Sequence, residues 1–137
     1  MSFPRLSLVL SGLCFVGFGG WILYQPEQLF RILDLTRPPP ILQVEIAAMY
    51  GGLELGLGVF FLVAAGRGRW VRAALAAQVA TFGGLGVGRV IGMALHGPAT
   101  RLYLGFLAFE IAGAVLGFFA FRQAGVLMAR NYGRPLP

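Results

Sequence analysis

Four long apolar runs, separated by short polar breaks, dominate the hydropathy pattern of this 137-residue chain. They cover about residues 6–24, 41–65, 70–95 and 102–121. At a rise of about 1.5 Å per residue, a helix of ~20 residues crosses the hydrocarbon core of a bilayer. The pattern therefore predicts an all-α fold, an integral membrane four-helix bundle forming a single domain over residues 1–137, with 122–137 as a tail. The first run is longer than the apolar part of a secretory signal, and no A-x-A-like cleavage site follows it, so it reads as a span.

The first polar break is itself patterned. In "PEQLFRILDL" (Pro26–Leu35), Glu27, Gln28, Arg31 and Asp34 fall on one side of a helical wheel, and Leu29, Phe30, Ile32 and Leu33 on the other. Proline suits a first helical turn, and the two-sided pattern predicts a short amphipathic helix lying on the membrane surface. "RPPP" stops any helix at Arg37. The tail "RQAGVLMARNYGRPLP" mixes an amphipathic turn with a loose end.

Composition supports the membrane reading. Apolar residues make up 58% of the chain, charged residues 12%, and mean hydropathy is +0.78, too little polarity to cover a soluble surface. Although the net charge is +6, the arginines cluster at the ends of apolar runs, a topology signal that offers nucleic acid no basic face. Arg5, Arg67, Arg69, Arg72, Arg122, Arg130 and Arg134 lie on one side, and Arg31, Arg37 and Arg101 on the other. The positive-inside rule then predicts both termini in the cytoplasm. Cys14 stands alone in an apolar run, which excludes an intramolecular disulfide and suggests a small packed residue.

Many of the 21 glycines fall inside the spans, where small residues let helix backbones approach. Ala76, Ala80, Gly84, Gly88 and Gly92 recur at four-residue intervals and predict a helix–helix seam, within the chain or with a neighbour. The second span offers Gly52 and Gly56 on one side, and Gly51 and Gly58 on another; the fourth offers Gly113 and Gly117. "GLGVGRVIG" lies mid-span, so it lacks the strand–turn–helix setting of a nucleotide-binding loop.

Three ionisable residues stand deep in the spans: Glu54, Arg89 and Glu110; Glu45 lies closer to a helix end. An ionised side chain at mid-span costs about 2.5–3.5 kcal/mol. Three unpaired ones would cost roughly 7–10 kcal/mol, comparable with the net stability of a domain. They are expected to be paired, neutral or facing water. One arginine balances one carboxylate, leaving the second protonated or paired with another cation. At about 100° per residue, Gln78, Arg89 and His96 share a line on the third span, and Tyr103 shares a face with Glu110. Tyr50 is expected one turn from Glu54. A pocket lined by Tyr50, Glu54, Arg89, His96, Tyr103 and Glu110, open to the outer side, follows as the candidate site. A purely structural Arg–Glu lock explains the charges equally well. One histidine and one cysteine assemble neither a metal nor a haem site, so no cofactor is expected.

"LELGLGVFF" (Leu53–Phe61) and "FEIAGAVLGFF" (Phe109–Phe119) show a similar order, which suits a parallel duplication of helical hairpins. "VEIAAMYGGLELGLGVFFLVA", "FGGLGVGRVIGMALHG" and the glutamate of "LAFEIAG" resemble the small bacterial four-helix membrane family called domain of unknown function 4345. The resemblance covers the first span through the fourth. It implies a bacterial inner-membrane bundle and brings no activity, substrate or catalytic residue. The spans are also loosely similar to DoxX-type bundles, an architectural analogy.

The leading functional expectation is a non-enzymatic membrane protein that binds a small amphiphile or assists a membrane partner through the Glu54–Arg89–Glu110 cluster. Its partners would be membrane lipid and a second copy or larger complex. Rival expectations are a proton-coupled small-solute carrier and a membrane-embedded enzyme acting on a lipophilic substrate.

Overall fold

Seven residues of the second span leave the α-helical track. In the computed structural model, α3 (Pro40–Ile46) passes into a π-helical stretch, Ala47–Leu53, before α4 (Glu54–Gly66) resumes. The wider π turn closes from residue i to i+5, and it coincides with the tandem glycines Gly51 and Gly52, where side-chain bulk is absent. The remaining helices are α1 (Phe3–Tyr24), α2 (Pro26–Ile32), α5 (Gly68–His96) and α6 (Arg101–Tyr132). The structure describes residues 1–36, 38–97 and 99–132, with side chains to residue 126; Arg37, the expected helix stop, Gly133 and Arg134 lie outside the described residues, as does the side chain of Arg130. Among the described residues there is no strand, and four helical stretches are long and apolar enough to span a membrane: Phe3–Tyr24, Pro40–Gly66, Gly68–His96 and Arg101–Val126.

Two compact units emerge where the sequence suggests one domain: Val9–Val63, and Met1–Leu8 together with Ala64–Pro137. In the first, α1 packs antiparallel to the α3–α4 span through glycines seven residues apart on each partner. A Cβ on Gly19 would lie 2.6 Å from the Leu55 nitrogen and 2.7 Å from the Gly51 carbonyl oxygen. One on Gly58 would lie 2.6 Å from the Val16 nitrogen and 2.8 Å from the Gly12 oxygen. Backbone thus meets backbone, a contact only glycine permits. The Phe15 and Phe61 rings meet edge to face, 5.8 Å apart.

Near the other end of this unit, Leu29 and Phe30 of α2 are buried with Ile22 and Ile46, flanked by Trp21, Leu33 and Leu42. The apolar side of α2 therefore packs largely into the protein, while Ile32 stays exposed. The helix ends at Ile32, before "RPPP". Asp34 adopts a left-handed φ of 56° and its N–H donates to Arg31 O, while Leu35 N–H donates to Phe30 O at 2.7 Å. These two bonds form a Schellman cap with aspartate in the position that favours glycine.

In the second unit α5 and α6 run antiparallel. The Phe82 ring lies against Gly113, where a Cβ would approach Cδ1 to 2.6 Å, and a Cβ on Gly117 would approach Gln78 Nε2 to 3.0 Å. Helix α6 continues through residues 122–132, so the expected tail is helical up to the last described residue.

The small-residue stripe of the third span is not the face of α5 that packs against α6. Gly84 and Gly88 are exposed, and a Cβ at Gly84, Gly88, Gly92 or Gly56 would meet nothing within 4 Å among the described residues. For Gly52 the nearest atom is the Ala47 oxygen of its own helical stretch, at 3.9 Å. The face of α5 that is buried carries Ala74, Leu75, Gln78, Phe82 and Gly86. It is chosen because Phe82 and Gln78 have glycine-lined recesses on α6 to fill. Cys14 is exposed rather than packed, since Gly12 and Phe15 take the contact face of α1.

Candidate functional site

Arg89 is placed on α5 seven residues before its end, so its side chain emerges about 10 Å inside the helix terminus. Across the α5–α6 interface its Nε donates to both Glu110 oxygens at 3.0 Å, and its Nη2 donates to Glu110 Oε1. Glu110 is almost fully buried, its side chain 4% exposed against 23% for Arg89. Two donors of a planar guanidinium on one carboxylate fix orientation as well as charge. The Phe106 ring lies 5.0 Å from the guanidinium carbon, adding a cation–π contact. Phe106 stands one turn before Glu110, so α6 presents carboxylate and ring on one face. A Cβ on Gly86 would stand 3.8 Å from Glu110 Cβ, in ordinary van der Waals contact with this pair.

Beyond Arg89, toward the α5–α6 connection, opens a pocket of about 480 Å³ lined by Arg89, Gly92, Met93, His96, Gly97, Thr100 and Tyr103. Thr100 sets its rim: its Oγ1 accepts the Tyr103 N–H at 3.2 Å, an N-cap that starts α6 and aims Tyr103. Three of the expected residues (Arg89, His96 and Tyr103) thus border one cavity, with Glu110 paired behind Arg89.

The other expected residues are placed differently. Gln78 is completely buried about 16 Å below Arg89 along α5. It accepts the Ser7 hydroxyl at Oε1 and donates from Nε2 to Gly113 O, both 3.1 Å, so it ties α1, α5 and α6 together. Tyr50 and Glu54 belong to the Val9–Val63 unit. Tyr50 sits in the π-helical stretch and is exposed, whereas Glu54 opens α4 and is half-buried. A π-helical stretch, Ala47–Leu53, carries Tyr50 and runs directly into the helix that Glu54 opens. Met93, Thr100 and Phe106 were not singled out from the sequence. The four-residue spacing of Phe106 and Glu110 is the signal that would have found the last.

These features define an all-α membrane protein with an intramembrane arginine–glutamate pair beside a pocket at one end of its α5–α6 hairpin. The chain belongs to the family described as Domain of unknown function (DUF4345), whose family model matches residues 3–121. Neither a curated protein nor a solved structure matches the chain, and the expected looser likeness to DoxX-type bundles is not shown.

Proposed function

We propose that this is a non-enzymatic membrane protein that binds a small amphiphile in the Arg89–Tyr103 pocket. The observation that carries the reading is the lining itself: a guanidinium, an imidazole, a phenol and a hydroxyl share one cavity with Met93 and glycines. Mixed linings of this size suit a ligand with a polar head and an apolar body. Glu110 holds the guanidinium in place, so a ligand would meet an oriented donor rather than a mobile one.

A Cβ at Gly92 would meet nothing within 4 Å among the described residues, and Gly92 lines the pocket, so Gly92→Trp is the variant chosen to fill it. The parent, purified in mild detergent, should retain an extractable small amphiphile near one per chain by mass spectrometry, and Gly92→Trp should lose it. Equal retention by both, or none by the parent, would sink the proposal.

We further place the protein in the bacterial inner membrane with both termini cytoplasmic, on the arginine distribution. Single cysteines at Gln28 and Gly133 in a Cys14→Ser background test this in intact cells. An impermeant thiol reagent should label the first and spare the second; the reverse pattern would invert the topology.

A further inference from the structure

Charge is divided very unevenly between the two units. Met1–Leu8 with Ala64–Pro137 contains Arg5, Arg67, Arg69, Arg72, Arg89, Arg101, Arg122, Arg130 and Arg134, and a single acidic side chain, Glu110. Val9–Val63 contains Arg31 and Arg37 against Glu27, Asp34, Glu45 and Glu54. Because Glu110 is engaged by Arg89, the arginines at the far end of that unit have no side-chain carboxylate in the unit to balance them.

Five of them lie at that end. Arg67 and Arg69 lie over the Trp70 ring at 4.9 and 5.7 Å. Arg72 lies over Phe121 of α6 at 5.0 Å, and Arg122, the next residue of α6, lies over Phe118 at 5.9 Å. Arg5 reaches the same place, its Nη2 3.8 Å from where a Gly68 Cβ would stand. All five arginines are exposed, and Trp70 is half-buried. Their position opposes helix electrostatics: Arg67, Arg69 and Arg72 surround the start of α5, whose first turn has no acidic residue, where the macrodipole already favours negative charge. Such a concentration is stabilised by an anion from outside the protein.

We propose that this arginine cluster, with Trp70 held against Arg67 and Arg69, is a binding site for the phosphate of an anionic phospholipid headgroup. Guanidinium forks match phosphate oxygens, tryptophan favours the headgroup level, and the helices below supply apolar surface for the acyl chains. The site is separate from the Arg89 pocket and does not depend on that pocket's ligand.

Native mass spectrometry of the full chain, released from micelles containing equal phosphatidylglycerol and phosphatidylcholine, tests it. The parent should retain phosphatidylglycerol at least about tenfold over phosphatidylcholine. Arg67→Gln/Arg69→Gln/Arg72→Gln should abolish the preference, while Arg101→Gln, beyond the other end of α5, should keep it. Should the triple variant lose its helical circular dichroism, Arg69→Gln alone should still lower the ratio by severalfold. Equal retention of the two lipids by the parent would overturn the proposal. So would an Arg101→Gln loss as large as that of the triple variant, which would indicate only net charge. Displacement of the lipid by equimolar inorganic phosphate would assign the site to free phosphate and overturn the lipid assignment.

Discussion

Arg89 meets Glu110 through one edge of its guanidinium, with Nε equidistant from the two carboxylate oxygens at 3.0 Å. The carboxylate is nearly sealed, so each charge depends on the other for solvation. Arg89→Met should destabilise the protein by about 3–5 kcal/mol, since it leaves a buried carboxylate behind. Arg89→Met/Glu110→Leu should be less damaging than either single substitution, because no charge is stranded. Unfolding in mixed micelles checks this, and additive losses would mean that the two residues do not act as a pair.

Glycines on the two antiparallel seams should be the least tolerant of substitution. Gly58→Ala would push a methyl to 2.6 Å from the Val16 nitrogen, a backbone clash that no rotamer relieves. A loss of about 1–3 kcal/mol follows from overpacking. Gly88→Leu enters open space and should leave stability near that of the parent. If a neighbouring copy covers that face, light scattering would show the oligomer change with this variant alone.

Gln78 should be worth more than a buried glutamine usually is, since its amide spans from Ser7 to Gly113. Ser7→Ala should cost about 1 kcal/mol. Gln78→Leu should cost more, because its amide also serves Gly113 and fills the space over Gly117. In a double-mutant cycle the two substitutions should couple; strict additivity would argue that the Ser7 bond contributes nothing.

Asp34 holds a backbone conformation that costs a non-glycine residue about 1–2 kcal/mol. Asp34→Gly should therefore raise the melting temperature, whereas Asp34→Val should lower it. A glycine variant no more stable than the parent would show that the aspartate side chain offsets the strain locally.

Much of this fold was legible in the amino-acid pattern. Run length and the scarcity of charge call for helices long and apolar enough to cross a membrane, and the described residues contain four of them. The need to pair mid-span charges was legible too, because desolvation makes an isolated charge too costly wherever the helices lie. The choice of partner was not. Glu110 meets Arg89 because the glycines of α6 seat Phe82 and Gln78, and that seating fixes the register at which residues 89 and 110 face each other. Periodicity likewise marks every small-residue stripe alike. The four-residue series Gly84, Gly88 and Gly92 was the more conspicuous, yet the seven-residue pairs Gly12–Gly19 and Gly51–Gly58 make the contact.

The sequence by itself thus determined the all-α membrane class, the number of long apolar helices and the candidate charges, because hydropathy and ionisation are properties of residues and short segments. Only the tertiary structure decided which helix faces meet, which carboxylate receives Arg89, and that a π-helical stretch interrupts the second span. Those depend on the shapes of two surfaces brought together, and one strand of text specifies each surface without specifying its complement.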